Sequence, residues 1–365
     1  MTSHSVRYSV RYSFRCGVVA GAVFAVISLA GCELTSSDDN GAGEGAVIVA
    51  NQGNFSDGNG SITVYDPEGE EAATFASGLG SIIQSLLVVD EIVLVAANSG
   101  NRIDVFDAVS GSRVAQIDSV GSPRYMDRVS ESVIAVTNQF ENSLSIVNID
   151  SSRVVATVAV GSNPEGVLVR GGVAYVANHG FGAGNTVSVV DLASRSVSRT
   201  IAVDCDGPRF TFLDAQGELF VVCTGQTLYD AEFNVIGMTN GAVVIVDPVS
   251  GAETGRIAID GMIATPGPGQ DAYYSAPSRR LFVVKDRESI VIIDTDTNAR
   301  VGHIGPLDGD PVGGVAFRET DGRLYVARVP GFTTAGSVTL VSTDGSAAGE
   351  FSAGVAPSHI DFVEP

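Results

Sequence analysis

The sequence predicts an all-β chain folded as a seven-bladed β-propeller, and three observations predict it. A short β-branched unit recurs: residues 175–203 hold two strand runs, 186–190 and 200–203, behind a third run at 173–177, with small polar residues between them. Three short strands punctuated by turn residues form a repeat unit, one blade's worth of structure. The unit occurs seven times along the chain. The chain also begins on the second strand of a blade and ends on a first strand, so its two ends can complete one sheet.

With the strands of a blade lettered a to d, the b strands are expected at 46–50, 92–96, 133–137, 173–177, 219–223, 281–285 and 324–327. The c strands follow at 61–65, 102–106, 143–147, 186–190, 242–246, 290–293 and 337–341. Each d strand leads to the a strand of the next blade, at 82–88, 124–129, 166–169, 209–213, 272–276, 313–317 and 358–362. Successive b strands lie about 40 to 60 residues apart, which suits four-stranded blades. Pairing of the C-terminal strand with the first b-c-d strands would close the ring and leave no long sheet edge open. Because a blade buries its faces only against its neighbours, residues 45–365 read as one domain.

Two segments precede the repeat. Residues 1–31 read as an export signal: Arg7, Arg11 and Arg15 make a basic start, and residues 17–28 are apolar but too short to span a bilayer. Residues 32–44 are then a polar, acidic stretch with Gly and Ser, expected to be a flexible tether.

Charge narrows the partners. Residues 1–31 carry three arginines and no acids, so the mature chain keeps 18 basic against 42 acidic side chains, a net charge of −24. Such a field repels nucleic acid and anionic lipid. Lys285 is the single lysine of the sequence. With Cys16 inside the signal and Cys32 at its end, Cys205 and Cys223 remain, either a disulfide pair in an exported protein or two separate buried thiols.

Alternating strand direction sorts the loops. The d–a and b–c loops share one face, where the long ones fall: 51–60, 178–185, 224–241, 260–271 and 329–336. The other face carries short hairpin turns such as Asp66-Pro67-Glu68-Gly69. Binding is expected on the long-loop face. Phe55, Tyr125, Phe140 and Phe181, with Phe210, Tyr229, Tyr273, Tyr274 and Phe332, offer rings to flank a large flat ligand. Arg124, Arg209, Lys285, Arg287 and Arg328 offer cations for carboxylate or phosphate groups. A hydrolase on this face would draw on Glu165, His179, His359 and Arg209. No His pair has metal-ligand spacing. Asp204-Cys205-Asp206-Gly207 and Asp57-Gly58-Asn59 are oxygen-rich, fit to hold calcium or simply to turn the chain.

Leu29-Ala30-Gly31-Cys32 resembles the lipobox of bacterial lipoproteins, which implies that Cys32 bears lipid and is the only membrane contact. Glu33 in place of Asp implies sorting to the outer membrane, where the protein would be surface-exposed or, alternatively, face the periplasm. Tyr175-Val176-Ala177-Asn178, followed by Asn185 through Asp191, resembles the YVTN-type propeller repeat, with weaker copies at 136–148 and 49–66. Asn51-Gln52-Gly53-Asn54-Phe55, Ser122-Pro123-Arg124-Tyr125, Pro164-Glu165-Gly166 and Asn178-His179-Gly180-Phe181-Gly182 are similar to a subset of these, surface lipoproteins of Bacteroidetes-type bacteria.

That resemblance implies a non-enzymatic protein that captures a ligand, cobalamin or a similar large cofactor, and passes it to a TonB-dependent transporter. The expected ligand-binding set is Phe55, Arg124, Tyr125, Phe140, Glu165, His179, Phe181, Arg209, Lys285, Arg328 and His359, with no resident cofactor. The alternatives are a lactonase-like propeller hydrolase and a protein-interaction scaffold. The chain departs from the repeat at Ala97, at Lys285-Asp286 and at Ala327-Arg328, where a strand-end Asn is expected.

Overall fold

A computed structural model describes residues 41–267 and 269–363. Residues 1–31, read as an export signal, Cys32 and most of the expected tether lie outside the described residues. Seven four-stranded antiparallel sheets are the blades, and they fall where the sequence places them. In the first blade Val47–Asn51 pairs with Ser61–Asp66 on one side and with the last strand, Pro357–Phe362, on the other. The seam continues beyond the strands, where Gly45 N donates to Val363 O (2.8 Å) and Val363 N donates to Ala46 O (2.9 Å). Since Val47–Asn51 runs toward loop 51–60, both chain ends leave the ring on the opposite face.

Residues 41–44, read from composition as the end of a loose tether, are laid against the ring. Ala42 is buried and donates its N–H to Ala108 O (2.6 Å). A small side chain and a free backbone donor are enough to dock this stretch.

The apolar runs explain the layering. Val47–Asn51, Leu219–Cys223 and Ala242–Val246 are buried at every residue, because inner strands are covered on both faces. Outer strands such as Ser196–Ala202 are mostly exposed and carry polar residues. The hydrophobic clusters span neighbouring blades: Leu94 and Ile103 of the second pack with Met126 and Ile134 of the third. Phe282 of the sixth blade stacks on Phe317 of the seventh, with centroids 4.9 Å apart. A single blade would expose these faces, so the ring folds as a unit.

The strand-end Asn of the repeat is a clasp. Asn178 Nδ2 donates to Thr186 Oγ1 and Ser188 Oγ (both 3.0 Å), while its Oδ1 accepts from Gly161 N (3.1 Å). Asn51 and Asn138 make equivalent bonds to strand c. Arg328 replaces the Asn in the last blade, donating from Nε to Thr339 Oγ1 (3.2 Å) and from Nη1 to Asp310 O (3.0 Å). Removing the buried amide by Asn138→Ala is expected to cost about 2 kcal/mol; an unchanged melting temperature would refute the clasp.

One element was not legible as structure. Loop 224–241 carries an extra two-stranded hairpin, Thr227–Tyr229 with Val235–Met238. It exposes Tyr229, Phe233, Val235, Ile236 and Met238.

Candidate functional site

The innermost strands begin with an irregularity that aims side chains. Pairing shifts register immediately after Ile83, Pro123, Pro164, Pro208 and Pro357. A bulge takes the next residue out of the ladder and redirects its side chain. The residues so released are Gln84, Arg124, Glu165, Arg209 and Ser358, one from each of five blades. Asp271 precedes the innermost strand of the sixth blade, Ala272–Ser275. Neighbouring strands approach closely here: a Cβ on Gly166 would lie 2.6 Å from Arg209 O.

Neighbours around this ring alternate in charge. Arg124 donates from Nε to Glu165 Oε2 (3.0 Å), from Nη2 to Glu165 Oε1, and from Nη1 to Gln84 Oε1. Arg209 donates from Nη1 to Asp271 Oδ2 (2.9 Å), and its Nε lies 4.0 Å from Glu165 Oε2. All four charged side chains are buried. Burial works to raise the Glu165 carboxyl, but the Arg124 and Arg209 guanidinium groups hold it below its ordinary value. Burial pushes Asp271 up to about 7 against the pull of Arg209. The Arg209 guanidinium keeps its proton despite burial, because Asp271 and Glu165 face it.

In loop 260–271, which was expected to shape the site, Gly269 and Gln270 reach across to the inner strands of the third and first blades. Tyr125 Oη donates to Gly269 O (3.0 Å), Gln270 N to Ser358 O (2.8 Å), and Ile360 N to Gln270 Oε1 (2.9 Å). The opening sits to one side, over the second to fifth blades. It is a cavity of about 610 Å³ with Arg124, Glu165 and Arg209 in its lining.

Its rim is aromatic. Phe55, Phe140 and Phe181 line it yet stay 74 %, 64 % and 68 % exposed. The Phe140 and Phe181 rings stack with centroids 6.4 Å apart. Phe181 has φ 57°, a left-handed conformation that is strained for a bulky residue. The short 3-10 turn Gly180–Gly182 imposes it, and His179 caps that turn, accepting from Gly182 N at Nδ1 (3.1 Å). With Nδ1 an acceptor, Nε2–H donates to Thr224 Oγ1 (3.1 Å). Cys205 and Cys223 are joined beside this contact.

Seven of the eleven expected ligand residues therefore meet at one cavity: Phe55, Arg124, Phe140, Glu165, His179, Phe181 and Arg209. Four do not. Tyr125, next to the bulged Arg124, turns inward and lies buried below the floor. His359 sits 6.1 Å from the Tyr125 ring, where burial depresses its imidazole to about 4. Lys285 ion-pairs with Asp286 (2.6 Å) outside the cavity, and Arg328 is spent on its clasp. Of the wider aromatic set, Phe210 is core, and Tyr273 and Tyr274 line a cavity of about 830 Å³ beside Glu44 and Asp66, at the face where the chain ends leave. Gln84, Asp271 and Asn163 were missed. Aligning the inner strands on their first residue would have found Gln84, since it shares its position with Arg124, Glu165 and Arg209.

Of the bases a hydrolase would draw on, Glu165 and His179 line the cavity already engaged, and His359, with Nδ1 unpartnered, is not in its lining. Both Glu165 oxygens accept from Arg124, and both His179 nitrogens are bonded, with burial lowering that imidazole to about 4. Among the described residues no three His, Cys, Asp or Glu side chains gather as metal ligands, and no helix is long and apolar enough to cross a membrane.

The chain matches no protein-family model and no curated protein. Solved structures do match. A putative 6-phosphogluconolactonase from Bacteroides fragilis aligns with a TM-score of 0.64 at 14% identity, over 90% of this chain and 99% of that one. Hydrazine synthase of Kuenenia stuttgartiensis aligns at 0.62 and 18%, over 75% and 88%. Apo AztD from Citrobacter koseri aligns at 0.54 and 14%, over 87% and 97%. At such identities the likeness is one of fold.

Asp271 supplies a pH prediction. Its ordinary value is 3.8 and its folded value about 7. Between them the folded chain holds the extra proton, so this group's contribution to stability falls as pH rises through the window. Arg209, Glu165, Arg124 and Tyr125 face it, and they are common to native chain and variant. The melting temperature of Asp271→Asn relative to native should therefore climb from pH 4 to pH 7; a flat difference would refute the raised carboxyl.

Proposed function

We propose that this chain is a non-enzymatic lipoprotein, anchored at the outer membrane through Cys32, that captures a ligand in the cavity rimmed by Phe55, Phe140 and Phe181. The observation that carries the reading is that rim. Three large apolar rings stand exposed around one opening, and Phe181 is held there at a cost in backbone strain. A captured molecule with a broad apolar surface would cover them. The engagement of Glu165 and His179 favours binding over turnover.

Cobalamin is the first ligand to try, on the resemblance of the loop motifs to cobalamin-capturing lipoproteins. Calorimetry with the mature chain should give a dissociation constant in the micromolar range or tighter, weakened by Phe140→Ala or Phe181→Ala. No heat with the native chain would eliminate the vitamin. Turnover of sugar lactones, lost in Glu165→Gln, would replace capture with hydrolysis. The exposed hairpin Thr227–Met238 borders the same face, and we assign it to contact with a TonB-dependent transporter. Replacing its exposed side chains with serine should abolish co-purification with such a transporter while leaving ligand binding intact.

A further inference from the structure

The cavity floor contains donors without acceptors. Nε and Nη2 of Arg209 and Nδ2 of Asn163 are buried and have no partner among the described residues. Both side chains line the cavity, and they are only 7 % and 1 % exposed. The orientation of the Asn163 amide follows from its Oδ1, which accepts from Phe181 N (3.3 Å). An unpaired buried donor is costly, so an oxygen acceptor fits both residues.

Glu165 takes both of its bonds from Arg124 and stands 4.0 Å from Arg209 Nε, too far for a hydrogen bond. Asp271 Oδ2 takes only Nη1. Two further acceptors stand near Arg209: Asp271 Oδ1, which is itself without a partner, and the Tyr125 hydroxyl, which donates to Gly269 O. A neutral carbonyl or hydroxyl would satisfy one donor. A carboxylate or phosphate brings several oxygens in the geometry a guanidinium fork matches. At the floor Arg124 and Arg209 face Glu165 and Asp271, whose carboxyl burial pushes up to about 7, while the other lining carboxylate, Glu141, accepts from Ser122 N and Oγ.

We propose that the captured ligand carries a carboxylate or phosphate group that seats on Arg209 and Asn163, with its apolar body against Phe140 and Phe181. This rests on the reading of the cavity as a capture site. The floor then fixes which end of the ligand enters, and the rim covers the remainder.

Three probes of one shape test it on the full mature chain: 2-naphthoate, 2-naphthyl phosphate and the neutral 2-naphthamide, followed by calorimetry and ligand NMR. At least one anion should bind about tenfold or more tighter than the amide, and which one does so separates carboxylate from phosphate. The double variant Arg209→Gln/Asp271→Asn removes the ion pair without leaving a lone charge, and it should erase the difference. Phe181→Ala should weaken all three alike. An amide that binds as tightly as both anions overturns the anion seat while leaving capture standing, and so does a preference that survives the double variant. Binding of none of the probes overturns the anion seat, and cobalamin calorimetry then decides capture by itself. Should the double variant not fold, the anion-to-amide ratio of the native chain decides the matter.

Discussion

Glu165→Ala should lose about 3–5 kcal/mol of stability, because it strips a buried arginine of its counter-charge. Glu165 neutralises Arg124 through two hydrogen bonds and faces Arg209 at 4.0 Å, and all three side chains are almost fully buried. Without the carboxylate, Arg124 keeps a charge that neither water nor protein balances. The melting temperature should fall by on the order of 10 °C. The double variant Arg124→Leu/Glu165→Leu should be more stable than the single one, because it removes the charge together with its partner. If Glu165→Ala melted with the native chain, or no lower than the double variant, the buried network would not hold the ring centre together.

Loss of the disulfide should be nearly as costly. Cys205 and Cys223 are 18 residues apart in sequence, and a cross-link closing a loop of that size is worth about 3 kcal/mol by restricting the unfolded chain. Cys205→Ser/Cys223→Ser, or the native chain under reductant, should melt correspondingly lower. Ligand affinity should fall with it. Thr224 follows Cys223 and holds His179 Nε2, and His179 in turn caps the turn that presents Phe181. Equal melting temperatures with and without reductant would refute this contribution.

These expectations show what the sequence carries and what it does not. The strands were legible because each buried strand is a continuous β-branched run, such as Ala242–Val246, and the turns because an Asp or Asn at the strand end accepts from the turn amides. Asp107 accepts from Ser110 N (2.7 Å) and Asp191 from Ser194 N (2.6 Å) in this way. The long-loop face, on which binding is expected, followed from loop lengths alone. Individual contacts did not, because a bulge decides where an inner-strand residue points and bulges leave little trace in composition. Arg124 and Tyr125 are adjacent, yet one reaches the cavity and the other is buried beneath it. Lys285 and Arg328 looked like site cations because they end strands on the correct face, but local acceptors claim both. The hairpin of loop 224–241 was hidden by its own sequence, since Thr227–Tyr229 is too short to register as a strand.

The pairing of the last strand with the first has a consequence for orientation. Both ends of the ring emerge on the face away from the Phe-rimmed cavity, and the chain lies against the ring at Ala42. If Cys32 carries lipid, eight residues lie between the anchor and Gly41, a reach of roughly 30 Å at full extension. The linker thus joins the ring on the face opposite the cavity. If the chain hands its ligand to a membrane-embedded partner, as proposed, the length of this linker becomes a control on transfer and not only an attachment. Lengthening or shortening it should change the rate of hand-over while leaving the affinity of capture unchanged.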